Sequence, residues 1–204
     1  MNLKTVKSSV KNRDLLKELI YEYRNGKPIY LRDYEKVLSG KLTKEEVMGS
    51  SSLHALLVMV IGAYLMEVFG KDYLVLGGEL GYIPRKGTRY NLDIAVFERE
   101  KLLREGLKNR YTHTPPLLVI EIDTKVDTRR FGGEEGYIFA KTKDLLESGV
   151  ELVLWFLTRE RKVLYAPKGK DWTVTDWDRD LKLPNGEYIN LLKLLEERGI
   201  NPTF

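Results

Sequence analysis

Two carboxylates, one residue apart, close an apolar run. In PLLVIEIDTKVDTRR (116–130), Glu121 and Asp123 follow Leu117, Leu118, Val119 and Ile120. Strand side chains alternate between faces, so these two acids are predicted to point the same way. A third acid, Asp93, lies inside NLDIAVF (91–97), and a carboxylate within an apolar strand is costly without a partner. If the two strands are neighbours, Asp93 and Glu121 converge at one end of the sheet, with Asp123 beside them. Clustered carboxylates repel until a proton or a cation relieves them. A hard divalent ion such as Mg2+ (or Mn2+) takes oxygen ligands, and two carboxylates plus a substrate phosphate suit it. Such an ion polarises a phosphoryl oxygen and helps form hydroxide from a bound water. The chemistry predicted is metal-assisted hydrolysis of a phosphodiester. The plainer reading of the same spacing is a strand end whose charges meet water.

That chemistry also needs a fixed positive charge. The helix predicted after Gly133 offers Lys141 and Lys143, which flank a stripe of Ile138, Phe139, Thr142, Leu145 and Leu146 on opposite edges. Both would snorkel if they had no role. Lys125, two residues beyond Asp123, is a third choice, and helical geometry alone does not select among the three. Arg129 and Arg130 form a basic cluster with Lys125, suited to phosphate contact or to a solvated loop.

The elements that would position these groups follow from periodicity and punctuation. The N-terminal third reads as helices: NRDLLKELIYEYRNG (12–26), then LRDYEKVLSG (31–40). Ser50 to Ser52 offer a cap to an apolar helix that ends at Gly70. Its uncharged centre falls short of a bilayer span of roughly 20 residues, so a buried helix is expected. Strands are predicted at 73–77 and 79–84, joined by a tight Gly-Gly connection, and at 91–98. A short helix follows, then the 117–123 strand and the helix ending at Gly149. A hairpin (151–157 and 162–166), an edge strand and a final helix close the chain. The step over 117–157 is a right-handed parallel crossover. The order predicts an α/β domain with a mixed central sheet flanked by helices.

Bulk properties set outer limits. The chain has 204 residues without a cysteine, which excludes disulfides and thiolate metal sites and suits a cytoplasmic setting. Two well-separated histidines argue against zinc, and GGEEG (132–136) lacks the ending of a P-loop. A net charge of +4 permits a polyanionic partner without demanding one. The polar N-terminus does not read as a signal peptide.

NLDIAVF, PPLLVIEID and KTKDLLESGVELVLWFLTRERKVLYAPKG together resemble the Uma-type endonuclease domain of the PD-(D/E)XK nuclease superfamily. The resemblance covers about residues 30–170. It implies a restriction-endonuclease-like core at 50–170, preceded by an N-terminal helical segment (1–49) and followed by a C-terminal strand and helix (171–204), all in one domain. In that family the lysine sits eight residues before a Gly-Val pair, here Gly149-Val150, which selects Lys141. Asp123 stands where the superfamily's usual lysine would be. EEVMGSSSLHALL (45–57) is similar to the family's N-terminal segment and implies roles near the site for Glu46 and His54, with Glu79 as a further candidate. The implied protein is an endonuclease in which Asp93 and Glu121 bind Mg2+ or Mn2+, Asp123 assists and Lys141 stabilises charge or positions water. Its implied partner is nucleic acid, DNA by preference, with no membrane and with a homodimer suited to double-strand cutting. The alternative is a module that keeps the fold without activity and binds nucleic acid or a protein.

Overall fold

A computed structural model of the protein describes residues 12–201. The polar N-terminus (1–11) and the last three residues, both counted in the single domain expected above, lie outside the described residues.

The chain opens with helix α1 (12–18), then departs from the expected single helix. IYEYR forms strand β1 (Ile20–Arg24), and KPIY forms β2 (Lys27–Tyr30), paired antiparallel. The reason is the Asn25-Gly26 turn: both residues have positive φ, 51° and 75°, the geometry of a two-residue hairpin. Ile20, Tyr21 and Tyr23 favour the pleated surface once that turn forms. Short helices α2 (Tyr34–Leu38) and α3 (Lys44–Met48) follow. Helix α4 (Ser52–Phe69) is capped by Ser51, whose hydroxyl accepts from His54 N at 3.1 Å.

The two strands expected at 73–84 are one. Strand β3 (Tyr73–Arg85) runs antiparallel to β4 (Thr88–Glu98) with its register shifting between Gly77 and Leu80. Gly78 and Glu79 both have positive φ there, which makes a bulge that bends the strand without reversing it. Helix α5 (Arg99–Glu105), strand β5 (Leu118–Ile122), helix α6 (Glu134–Glu147) and strand β6 (Leu152–Leu157) continue the chain. β5 and β6 are parallel, as the crossover requires, and β7 (Lys162–Pro167) and β8 (Thr173–Asp176) extend the sheet antiparallel. A two-stranded pair, β9 (Leu181–Lys182) with β10 (Tyr188–Ile189), leads into α7 (Leu191–Glu196).

The result is an α/β fold with a mixed eight-stranded sheet in the order β2-β1-β4-β5-β6-β7-β8, with β3 on the remaining edge of β4. One face carries α4 and α7, with Leu57, Ile61 and Leu65 packed on Ile94, Ile120 and Leu154. The other carries α6, with Ile138 and Leu145 packed near Phe97, Val119 and Trp155. α4 is only half buried, against expectation: Leu57, Val60, Ile61 and Leu65 face the sheet while Leu56, Met59 and Met66 face outward. Phe139 also lies outside the stripe expected of it; it is exposed and packs its ring on Trp172 at 4.6 Å.

β4 has three partners and two edges. β3 follows one edge over its length, so β1 and β5 share the other. β1 meets it at Arg89, and β5 meets it at Ile94 to Val96. Between them the sheet splits, and the main chain at 91–93 lacks ladder partners on that side.

A buried acid on α6 braces this split. Asp144 takes bonds from Arg24 Nε (2.7 Å), Arg24 Nη2 (3.1 Å) and Tyr90 Oη (2.5 Å), and lies 2.9 Å from Arg85 Nη2. One carboxylate therefore ties β1, β3 and β4 to the helix. Burial alone would raise the Asp144 carboxyl, but the bonds from Arg24, Tyr90 and Arg85 outweigh it and hold it below the usual range. A depressed carboxyl stabilises above its unfolded pKa and loses that contribution as pH falls through the folded one. Asp144→Ala is expected to cost about 2–4 kcal/mol at pH 7 in urea denaturation, the arginines being partly exposed. The gap between wild type and Asp144→Asn should narrow below about pH 4; a gap that stays constant into acid would contradict this role.

Candidate functional site

The split in the sheet is filled by side chains that take the place of missing ladder bonds. Ile122 N, beyond the last β4–β5 pair, donates to Asp93 Oδ2 at 2.8 Å. Asn91 N donates to Glu22 Oε1 at 3.1 Å, and Asn91 O accepts from Lys141 Nζ at 2.8 Å. Buried main-chain groups must find partners, and here they draw three charged side chains into one place.

Lys141 is the centre. Its side chain is 2% exposed, and its ammonium lies 2.9 Å from Glu22 Oε1 and 3.0 Å from Glu121 Oε1. The rings of Tyr90 and Trp155 stand 5.4 and 5.6 Å from Nζ, within cation–π reach. Burial pulls the ammonium's pKa down, but Glu121 and Glu22 more than offset it, so the group is held charged. The lysine chosen by the resemblance is thus the one aimed into the split. Lys143 is exposed and stands 3.8 Å from Glu147.

Asp93 and Glu121 border the same small hollow as Lys141, together with Tyr21 and Tyr137. Asp93 comes from β4, Glu121 from the end of β5, and His54 from the first turn of α4 on the opposite face. His54 Nε2 is 3.1 Å from Asp93 Oδ1. Burial lowers the His54 imidazole against the pull of Asp93, keeping it neutral at pH 7. Burial raises the Asp93 carboxyl and raises that of Glu121 well above its ordinary value, despite Lys141.

Glu22 escaped the sequence reading. It is fully buried on β1, and Tyr137 Oη donates to its Oε2 at 2.5 Å. The signal was present: had Asn25-Gly26 been read as a hairpin turn, IYEYR would have shown an acid inside an apolar strand, as Asp93 and Glu121 do.

Three buried carboxylates therefore face one ammonium and a neutral imidazole, which leaves two negative charges uncompensated. Glu121 Oε1 is also buried without an aligned hydrogen-bond donor; Lys141 approaches it off the line such a bond needs. Among the described residues no group of three or more His, Asp or Glu side chains forms a ready cage for a metal. The donor set fits a hard cation that keeps most of its waters and takes one or two carboxylates.

The other candidates divide. Asp123 does not share the face of Glu121, because the strand ends at Ile122 and Asp123 has φ 53°. Its carboxylate instead accepts from Thr158 N (2.7 Å) and Thr158 Oγ1 (2.6 Å). Lys125 borders the hollow and pairs with Glu79 Oε1 at 2.6 Å and Ser50 Oγ at 2.8 Å, which places Glu79 at the rim. Glu46 closes a capping box with Thr43 at the start of α3 and is exposed. The basic cluster expected of Arg129, Arg130 and Lys125 does not form. Arg129 is bound to Asp127 and Glu35, and Arg130 donates to Pro28 O.

The fold and this split define an α/β, restriction-endonuclease-like architecture with a buried acid–lysine cluster at its centre. By structure the chain is similar to a candidate nuclease of the DUF820 family from Anabaena variabilis, with a TM-score of 0.60 and 16% identity. The match covers 91% of this chain and 97% of that one. At that identity the likeness establishes the fold. Comparison with known protein families finds no match, and comparison with curated proteins finds none.

A double-mutant cycle tests the cluster as a structural unit. Lys141→Met strands Glu22 and Glu121 and is expected to cost about 3–5 kcal/mol by urea denaturation. Combining it with Glu22→Gln should recover about 0.5–3 kcal/mol of that loss. Strict additivity would mean that the two side chains do not interact.

Proposed function

We propose that the protein is a divalent-metal-dependent endonuclease of the Uma type, hydrolysing phosphodiester bonds of DNA. The observation that carries this reading is the buried ammonium of Lys141 set among Glu22, Glu121 and the β4 main chain, beside Asp93, with Glu121 Oε1 left without a donor. Structural proteins seldom bury such an excess of negative charge, and perturbed carboxyls gathered in a cleft mark functional sites. The nuclease description of the Anabaena variabilis protein, of the same fold, points the same way.

In this reading Asp93 and Glu121 hold Mg2+ or Mn2+. The ion supplies charge neutralisation and Lewis-acid polarisation of the phosphoryl group when bound. Lys141, held charged by its neighbours, presents fixed positive charge to the developing negative charge of the transition state or orients the attacking water. Glu22 and Tyr137 are positioning residues that fix the lysine's rotamer. His54 holds Asp93 from the α4 side. Lys125 and Glu79 at the rim face the incoming substrate, where Lys125 can exchange its carboxylate partner for a phosphate oxygen. Asp123, engaged with Thr158, shapes the loop rather than the metal site.

The competing reading is an inactive module that keeps the fold. The absence of a three-ligand group among the described residues favours it.

Supercoiled plasmid incubated with Mg2+ or Mn2+ separates the two. Wild type should nick it, EDTA should stop the reaction, and Asp93→Ala, Glu121→Gln and Lys141→Ala should each lose about 100-fold or more. Asp123→Asn and Glu46→Gln should stay near wild type. Nicking that is equal across all variants would reveal a contaminant, and its absence from wild type under every metal tried would favour the inactive module.

A further inference from the structure

Helix α4 presents an apolar face that the fold does not cover. Met59 is 70% and Met66 65% exposed, with Leu56, Ala55 and Ala63 beside them. These positions recur at three- and four-residue spacing, so they form one stripe along the helix. By composition α4 and its flanking turns are long and apolar enough to cross a bilayer, but the opposite face is fixed to the sheet.

Gly62 sits in the middle of this face. A glycine inside a helix costs about 0.5–1 kcal/mol relative to alanine. Nothing lies within 4 Å of where its Cβ would be, so the packing of this chain gives no reason for it. A second backbone passing close over the helix would give one.

We infer that a second copy of this chain covers the face, through antiparallel α4–α4 pairing about a two-fold axis near Gly62 and Ala63. That axis sets Gly62 against Ala63 of the second copy, where small residues permit close approach. It sets Met59 against Met66, where the long side chains interdigitate. Such a contact is isologous, each patch meeting its own copy. Charge selects the antiparallel sense. The face carries no charge from Ser52 to Met66, and Glu67 lies just beyond it at the C-terminal end. Parallel pairing would bring Glu67 against its copy; antiparallel pairing sends the two to opposite ends. Charge also disfavours a bilayer as the occupant. Helices that lie on membranes carry lysine or arginine along the polar margin, and this helix carries neither between Ser52 and Phe69.

The pairing would affect the site. Ala55 and Met59 line the hollow that leads past Ser50 and Glu79 to His54, Asp93 and Lys125. The second copy's helix therefore forms a wall of that hollow, and the two sites open beside one another. A single helix pair buries less than the roughly 1,600 Å2 of a standard interface, so association is concentration-dependent.

The chain's lack of cysteine makes the test direct. Light scattering across the micromolar range should show the mass doubling, and Met59→Lys with Met66→Lys should hold the protein at monomer mass with an unchanged circular dichroism spectrum. Ala63→Cys should form an interchain disulfide on mild oxidation, while Lys71→Cys, at the far end of the helix, should not. A wild type that stays monomeric throughout overturns the inference. So does a dimer that survives the double substitution or that fails to cross-link through Ala63→Cys. A monomer that binds vesicles of phosphatidylcholine and phosphatidylglycerol overturns it in favour of a membrane. These readouts involve no cleavage, so they stand or fall apart from the nuclease reading.

Discussion

The ammonium of Lys141 is the charge around which the centre of the molecule is arranged. Removed from water, it is bound on one side by Glu22 and on another by Glu121, and it satisfies the Asn91 carbonyl where the sheet divides. Without it three carboxylates would be gathered in a low-dielectric pocket with no fixed countercharge, a state that burial makes untenable. With it, β1, β4, β5 and α6 share a common electrostatic anchor. The cluster still carries more negative charge than positive, and that residual imbalance is what a hard cation would relieve.

The split of the sheet explains why the cluster lies where it does. A continuous ladder would have consumed Asn91 N, Asn91 O and Ile122 N in strand pairing. Because β1 and β5 divide one edge of β4 between them, those groups are answered by Glu22, Lys141 and Asp93. The same split would open if β1 moved, and Asp144 resists that by joining Arg24, Arg85 and Tyr90 to α6. A stabilising clamp and a destabilising acid cluster thus sit on one helix, three residues apart, a pairing common where activity draws on stability.

Much of this was legible in the sequence because the relevant signals are local. Asp93 and Glu121 each interrupt an apolar strand, and their cross-strand relation follows from the β4–β5 pairing. The choice of Lys141 over Lys143 came from the family resemblance, since helical geometry alone left both open. What escaped depends on backbone detail or on distant partners. Glu22 was hidden by reading 12–26 as one helix, although Asn25-Gly26 carried the hairpin. Asp123 was assigned to the face of Glu121 because strict alternation was carried past Ile122, where a positive φ breaks it. Arg129 and Arg130 looked available for phosphate because their partners, Glu35 and Pro28, lie about a hundred residues away in sequence. Asp144 gave no signal, being one acid in a charged helix until the fold brought two arginines to it.

The central claim is that Asp93 and Glu121 hold a divalent cation beside the Lys141 ammonium. Crystals soaked in Mn2+ test it most directly, through anomalous difference density. The account predicts a peak bridging the two carboxylates, lost in crystals of Glu121→Gln. A peak only at surface acids such as Glu46, or none at Mn2+ concentrations that support cleavage, would contradict it.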